Sequence, residues 1–569
     1  MRRSPGLALH AGGGLGEDTA GMDLGLAQQA IAARNPDREC IVTPTRRLTY
    51  AQVAELARRL ANVLHSNGLG CHRERADLAN HESGQDHVGI YMLNAPEYIE
   101  SMLGAYLARV APFNVNYRYV DDELLYLLTD SDATGVIYQG RYAPNLARIR
   151  DRLPKLRLLI QVADESGTAL LPGALDYETA LAAASDSMPP VQHSPDDLYI
   201  LYTGGTTGAP KGVLWRQEDI FHAAMTGGAP GMPGPATVEE LAENATVNGG
   251  FMRVMTTPPL MHGAAQWLGF GAIHQGGTVV LQGKPEKLDA EEVLGLVERE
   301  RCNTLTMVGD AFARPIVEEM RRRSYDLSRL FILGSGGAIL SPHMKEALLE
   351  FVPHAMVVDG FGASETGAHG SHATRAGDAA QTGKFAMTST LILKSDLSGP
   401  LQEGSDESGW VARTGHVPLG YYKDPAKTAK TFPTIGGVRY AVPGDHARFN
   451  PDGSINVLGR GSVCINSGGE KIYPEEVEQV LRKHPAVYDA VVVGTPDERF
   501  GEQVTAVIQP RTGELLDQAD LADFASQHLA RYKLPRTIVL VDEMVRSPSG
   551  KPDYRWAKAR GIEARGLKA

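Results

Sequence analysis

Three short apolar runs in the middle of the chain each stop at a cluster of glycines. That pattern narrows the fold more than any other feature. Leu198-Tyr-Ile-Leu-Tyr202 runs into Thr203-Gly-Gly-Thr-Thr-Gly208, Leu330-Phe-Ile-Leu333 into Gly334-Ser-Gly-Gly337, and Ala355-Met-Val-Val358 into Asp359-Gly-Phe-Gly362. Between them lie a helical stretch from Ala290 to Glu300 and a strand at Thr304–Val308. Ser341-Pro342 reads as a helix start, with serine as N-cap and proline in the first turn. Strands alternating with helices build parallel sheets covered by helices, so the fold class is α/β. Ligands of such folds bind beyond the carboxyl ends of the strands. Three glycine-rich turns at strand ends therefore predict one composite ligand site.

At 569 residues the chain exceeds one core, and about 150 residues per domain implies three or four folding units. The character changes near Gly459-Arg460. Beyond it come a helix over Pro474–His484, strands at Ala490–Val493 and Val504–Gln509, and helical spacing of Leu521, Phe524, Ala525, His528 and Leu529. The expected organisation is a disordered extension over 1–21, a large N-terminal domain of α/β subdomains with parallel sheets over 22–459, and a small, mobile α+β domain over 460–569. Lys plus Arg number 56 against 68 Asp plus Glu, a net charge of −12. That weighs against nucleic acid as a partner, because phosphate backbones need a basic footprint. Cys40, Cys71, Cys302 and Cys464 lie far apart with no CxxC pair, which fits a reducing cytoplasm. The longest stretch without a charged residue, Val254–Gly283, is long enough to span a bilayer. It carries Pro258, Pro259, His262, Gln266, His274 and Gln275, however, and so predicts buried core beside a pocket, with no transmembrane segment. His72–His87 holds three histidines without regular ligand spacing and reads as a solvated polar insertion.

The segment with the most chemistry is Tyr202-Thr-Gly-Gly-Thr-Thr-Gly-Ala-Pro-Lys-Gly212. Glycines let backbone N–H groups approach an anion, hydroxyls add donors, and Lys211 adds a positive charge. It is a phosphate cradle by composition, yet not a Walker A loop, since Gly-Lys-Ser/Thr is absent.

At this loop the sequence resembles the adenylate-forming enzymes, which include acyl-CoA synthetases, luciferases and peptide-synthetase adenylation domains. The resemblance covers about residues 22–560, and its motifs occur in order. It implies that Thr203, Gly204, Gly205, Thr206, Thr207, Gly208 and Lys211 hold phosphates, and that His262, in Pro259-Leu-Met-His-Gly263, borders the acyl pocket. Gly336, Gly337 and Ala338 resemble the adenine-contacting segment. Asp359-Gly-Phe361-Gly362-Ala-Ser364-Glu365-Thr resembles the motif in which an aromatic packs on adenine and a Ser-Glu pair serves phosphate and Mg2+, with Glu365 as the metal ligand. Asp445 and Arg460 are matched to ribose contacts, Ser467-Gly468-Gly469-Glu470 to the thiol tunnel, and Lys551 to the catalytic adenylation lysine. The family's hinge position falls on Ser462, where Asp or Lys is common.

The chemistry of these residues agrees with such roles. A glutamate is a hard oxygen ligand suited to magnesium on phosphates. An ionised aspartate can accept two ribose hydroxyls, and a lysine supplies charge where a carboxylate attacks phosphorus. The attacking carboxylate is already ionised at pH 7, so no general base is needed. Within the family the resemblance is strongest to bacterial acyl-CoA synthetases that activate sterol side-chain acids or long-chain fatty acids. It rests on Tyr202–Lys211, Met307–Pro315, Gly420–Asp424, Gly459–Glu470 and Arg546–Ala557. The implied partners are ATP, coenzyme A and a bulky apolar carboxylic acid. Alternatives are an adenylate-former that loads a carrier protein, a ligase for aromatic or medium-chain acids, and an inactive nucleotide-binding regulator. The sequence also leaves a homo-oligomer open.

Overall fold

The computed structural model describes residues 21–203, 210–226, 234–338, 340–381, 383–387, 390–460, 463–467, 470–497, 500–514, 516–529, 531–547 and 550–567. The elements that frame the site are, in chain order, β1 (Leu198–Thr203), β2 (Arg253–Thr256), α1 (Gly263–His274), β3 (Thr304–Met307), α2 (Gly309–Arg322), β4 (Ile332–Gly336), α3 (Pro342–Phe351), β5 (Met356–Ala363) and β6 (Gly367–Arg375). Among the described residues, β2 to β6 belong to a sheet of 13 strands. β2, β3, β4 and β5 pair in parallel in that order, and β6 turns back antiparallel on β5. The predicted parallel α/β arrangement is therefore present.

Strand alternation sorts the side chains. Leu305, Leu333 and Val357 share a buried apolar core with residues of α2 and α3 such as Ile316 and Leu348. The alternate residues, Thr304, Thr306, Ile332, Gly334, Met356 and Val358, line a large cavity on the opposite face. α3 begins at Pro342 as expected, but Ser341 does not cap it with its side chain. Its backbone N–H and hydroxyl instead donate to Asp310 Oδ1 at 2.7 and 3.0 Å, tying the start of α3 to α2.

β1 lies in a second sheet, of eight strands among the described residues, between Ala111–Asn114 and Lys211–Arg216. The helix α1 joins the two sheets. A Cβ on Gly263 would come within 2.6 Å of Leu201 Cδ2, so any larger residue there would have to push Leu201 of β1 aside. The uncharged stretch Val254–Gly283 resolves into most of β2, all of α1 and the strand Thr278–Val280. No helix among the described residues is long and apolar enough to cross a membrane.

The polar insertion requires a correction at its end. His87 is not solvated; it starts the strand His87–Tyr91 and is buried. Its Nδ1 lies 2.6 Å from Ser131 O and its Nε2 2.7 Å from Ser83 Oγ. A neutral imidazole with both nitrogens satisfied can enter a core, and burial pushes its pKa down to about 4. Among the described residues no group of three or more His, Cys, Asp or Glu could hold a metal ion.

Among the described residues, those between 465 and 540 supply a separate sheet of five strands. Its centre is the antiparallel pair Val487–Asp497 and Gly501–Pro510. Val477 and Leu481 of the helix Pro474–Leu481 share its core with Leu521 and Ala525 of Gln518–Ser526.

Candidate active site

The carboxyl ends of β1, β4 and β5 open into one cavity of about 1600 Å³. Thr203, Gly336, Gly337, Phe361, Gly362 and Ser364 line it there, as does His262 at the start of α1. Its wall is completed by Ser547 and Lys551 from the small C-terminal unit. The cavity then follows the face of the sheet from these carboxyl ends to Thr304, Ile332 and Met356, where the strands begin. The pocket expected around Val254–Gly283 is this chamber, with Met261, Trp267 and Leu268 on its walls.

Lys551 reaches the chamber on a tight turn. Gly550 has φ +71°, a left-handed conformation that favours glycine. Ser547 N donates to Lys551 O at 2.8 Å, and Arg546 Nη1 donates to Gly550 O at 2.8 Å. Arg546 is itself held by both oxygens of Asp489, at 2.6 and 2.7 Å. A planar guanidinium gripped bidentately fixes the turn that carries the lysine.

His262 is buried, and its Nε2 has no hydrogen-bond partner among the described residues. Burial pushes its pKa down to about 3, with the charges of Lys551 and Arg118 adding to the effect. The imidazole is neutral at pH 7. It can border a carboxylate without forming an ion pair with it.

Phe361 stacks between His369 and Phe385, with centroids 5.2 and 5.1 Å away. Glu365 lies on the turn between β5 and β6, and its Oε1 accepts from Tyr421 Oη at 2.8 Å. That turn is fastened by Arg413, a residue the motifs did not single out. Its Nη1 donates to the carbonyls of Ala223, Thr366 and Ala368 at 3.3, 3.0 and 2.6 Å. Burial pushes the Arg413 guanidinium down to about 10. A lone arginine in the sequence gives no sign of such a role, because its three acceptors are backbone atoms.

Several expected site residues stand off the cavity. Asp359 has the parity of Val357, so it points to the α3 side, where it forms a buried ion pair with Lys345. Ala338 and Glu365 do not line the cavity. Lys211 pairs with the carboxylate of Asp424. That contact holds the Asp424 pKa below the usual carboxylate range. Asp445 is buried and lies opposite Arg460 on an antiparallel ladder, outside the cavity wall. Gly204, Gly205, Thr206, Thr207, Gly208, Ser462, Gly468 and Gly469 lie outside the described residues.

Residues 28–422 match the family described as AMP-binding enzyme, and residues 476–551 match the AMP-binding enzyme C-terminal domain. The chain is 52% identical over 551 residues to a medium-chain acyl-CoA ligase, Mig, of Mycobacterium avium, covering 96% of this chain and 100% of that one. It is 42% identical over 534 residues to a 3-oxocholest-4-en-26-oate–CoA ligase of Rhodococcus rhodochrous, covering 92% and 93%. Among solved structures it is similar to the anthranilate CoA ligase AuaEII, crystallised with anthranoyl-AMP, with a TM-score of 0.77 and 21% identity over 97% of this chain and 99% of that one. At that identity the likeness speaks for the fold.

Proposed function

The chain belongs to the AMP-binding enzyme family, and from that premise we propose that it is an AMP-forming acyl-CoA ligase for bulky apolar carboxylic acids. ATP and the acid give an acyl-adenylate and pyrophosphate; coenzyme A then displaces AMP. The observation that carries the reading is the single chamber with Lys551 and neutral His262 at one end and an apolar channel along the sheet.

In the first step a carboxylate oxygen attacks the α-phosphorus of ATP and pyrophosphate leaves. Lys551 supplies positive charge where negative charge builds up on the phosphate and the attacking oxygen. Such preorganised electrostatics is usually the largest catalytic term. His262 borders the carboxylate as a neutral imidazole and does not compete as a cation. Thr203, Gly336, Gly337 and Phe361 line the nucleotide end. In the second step the thiolate of coenzyme A attacks the acyl carbon and AMP is the leaving group.

Glu365 suits magnesium: its carboxylate is an oxygen donor oriented by Tyr421, it stands behind the cavity wall next to Ser364, which lines it, and magnesium usually takes substrate phosphates among its ligands. When bound, magnesium neutralises charge on those phosphates.

The relatives act on medium-chain and sterol side-chain acids by their names. The channel is apolar enough to favour such acids here, since burial gains about 25 cal/mol per Å² of apolar surface. The test is acid-dependent pyrophosphate release across a panel from acetate to long-chain and polycyclic acids. The bulky acids should lead in kcat/KM; acetate or amino acids equalling them would refute the substrate class.

A further inference from the structure

Gly334 stands inside β4 without the usual reasons for a glycine in a strand. It is paired on both sides, with Thr306 of β3 and Val358 of β5, and both parallel ladders keep an unbroken register through it. Its φ lies outside the left-handed region. Among the described residues, a Cβ added to it would first meet Thr306 Cγ2 at 3.8 Å and Leu305 O at 3.9 Å, ordinary van der Waals separations. A glycine in a strand interior costs stability, and it marks a bulge, a bend, or the close approach of another backbone or a ligand. A bulge and a crowding backbone are absent at Gly334, which leaves a ligand.

The neighbours of Gly334 define what that ligand meets. Residues paired across parallel strands face the same side of the sheet, so the chamber floor is built in rows. One row is Thr304, Ile332 and Met356; the next is Thr306, Gly334 and Val358. Both rows line the chamber. Rows two residues apart are separated by roughly 6.6 Å along the strand. Gly336, one row further on, belongs to the nucleotide end, and Ile332 to the end where the strands begin. Gly334 therefore lies between them, on the path of the acyl group. It is half-buried, whereas Leu333 and Ser335 on either side are buried. Its missing side chain is a notch in a floor that Ile332, Met356, Thr306 and Val358 otherwise cover.

The notch is also apolar. The Thr306 hydroxyl donates to Met255 O at 3.2 Å, and its methyl group is the atom nearest the added Cβ. Val358 bounds the other side. Such a notch selects by shape. A chain of methylenes bends around an obstacle, whereas a fused-ring system is broad and rigid and needs the obstacle to be missing. A side chain at position 334 would overpack a site filled by rings.

We propose that Gly334 is a specificity-determining residue, whose notch admits the fused rings of a polycyclic acyl group. The inference rests on the acyl-CoA ligase reading and separates, at one residue, ring-bearing acids from unbranched ones. The experiment measures acid-dependent pyrophosphate release by the full-length wild type, Gly334→Val and Gly334→Ala, with a panel of unbranched fatty acids and a panel of steroid side-chain acids. β-Branched valine suits a strand, so the thermal midpoint of Gly334→Val should not fall. For the steroid acid that the wild type uses best, Gly334→Val should lower kcat/KM at least tenfold, a span of about 1.4 kcal/mol. For the best unbranched acid, kcat/KM and the KM for ATP should stay within about threefold. Gly334→Ala, the milder variant, should show the same split, about threefold against less than twofold. A loss as large with the unbranched acid as with the steroid acid, no loss with either, or a wild type that uses unbranched acids but no steroid acid would overturn the proposal. No pyrophosphate release with any acid would instead remove the ligase reading, and this proposal with it.

Discussion

Lys551 is one cation on a turn held by Gly550, Arg546 and Asp489, and the task proposed for it belongs to the adenylation step. Lys551→Ala should lower acyl-adenylate formation by about 10²–10³, the scale of losing one preorganised contact. Thioester formation from supplied acyl-adenylate should stay within about threefold of wild type; equal losses in both half-reactions would make the lysine structural. A second prediction at this scale concerns the buried histidines. Burial pushes His87 and His274 down to about 4 and His262 and His369 to about 3. Their folded pKa values lie below the unfolded value near 6.5, so between pH 6.5 and 4 the unfolded chain binds protons that the folded chain does not. The stabilisation is complete above pH 6.5 and is lost as pH falls. Urea midpoints should drop between pH 7 and pH 5, by up to about 2 kcal/mol per histidine. His87→Gln should flatten that slope; an unchanged slope would mean that His87 does not titrate in the unfolded chain alone.

At the scale of elements, strand parity decides which residues reach the site. β5 sends Val358, Gly360 and Phe361 to the chamber, and sends Asp359 to the fully buried Lys345 on α3. Breaking a buried ion pair on one side leaves an uncompensated charge and costs about 3–5 kcal/mol. Lys345→Met should show that loss in a denaturant midpoint, and adding Asp359→Asn should recover part of it. A single variant as stable as wild type would contradict the pairing. The same element shows what the sequence could reveal. The strands at 330–333 and 355–358 and the helix start at Pro342 are local signals, and they were legible; the glycine runs, read as turns, were not, because Gly334–Gly336 and Asp359–Gly362 continue β4 and β5 as paired strand residues. The partner of Asp359 was not, because the carboxylate's direction depends on which face of the strand is covered. The partner of Lys211 was not either: Asp424 lies 213 residues away. Arg413 carries no motif at all, since its contacts are backbone carbonyls brought together only by the fold.

The whole molecule presents Lys551 to the chamber across a junction between two units. A Cβ on Gly550 would lie 3.4 Å from Val308 Cγ1. Arg314 of α2 places its guanidinium 4.2 Å from the centre of the Tyr488 ring and donates to Tyr488 O at 3.3 Å. A cation over an aromatic face is worth about 0.5–2 kcal/mol, so Arg314→Ala should slow adenylation by roughly 2- to 30-fold. Transfer to coenzyme A from supplied adenylate should respond less, because the role proposed for Lys551 is confined to adenylation. Equal effects on both would argue against a junction specific to one step. The central claim is that one chamber joins a carboxylate to the α-phosphorus of ATP before coenzyme A enters. It is tested most directly by turnover of a bulky acid labelled with oxygen-18 in its carboxylate, followed by mass spectrometry of the products. The account predicts one labelled oxygen in AMP and none in pyrophosphate. Label in inorganic phosphate, or unlabelled AMP during acyl-CoA formation, would contradict it.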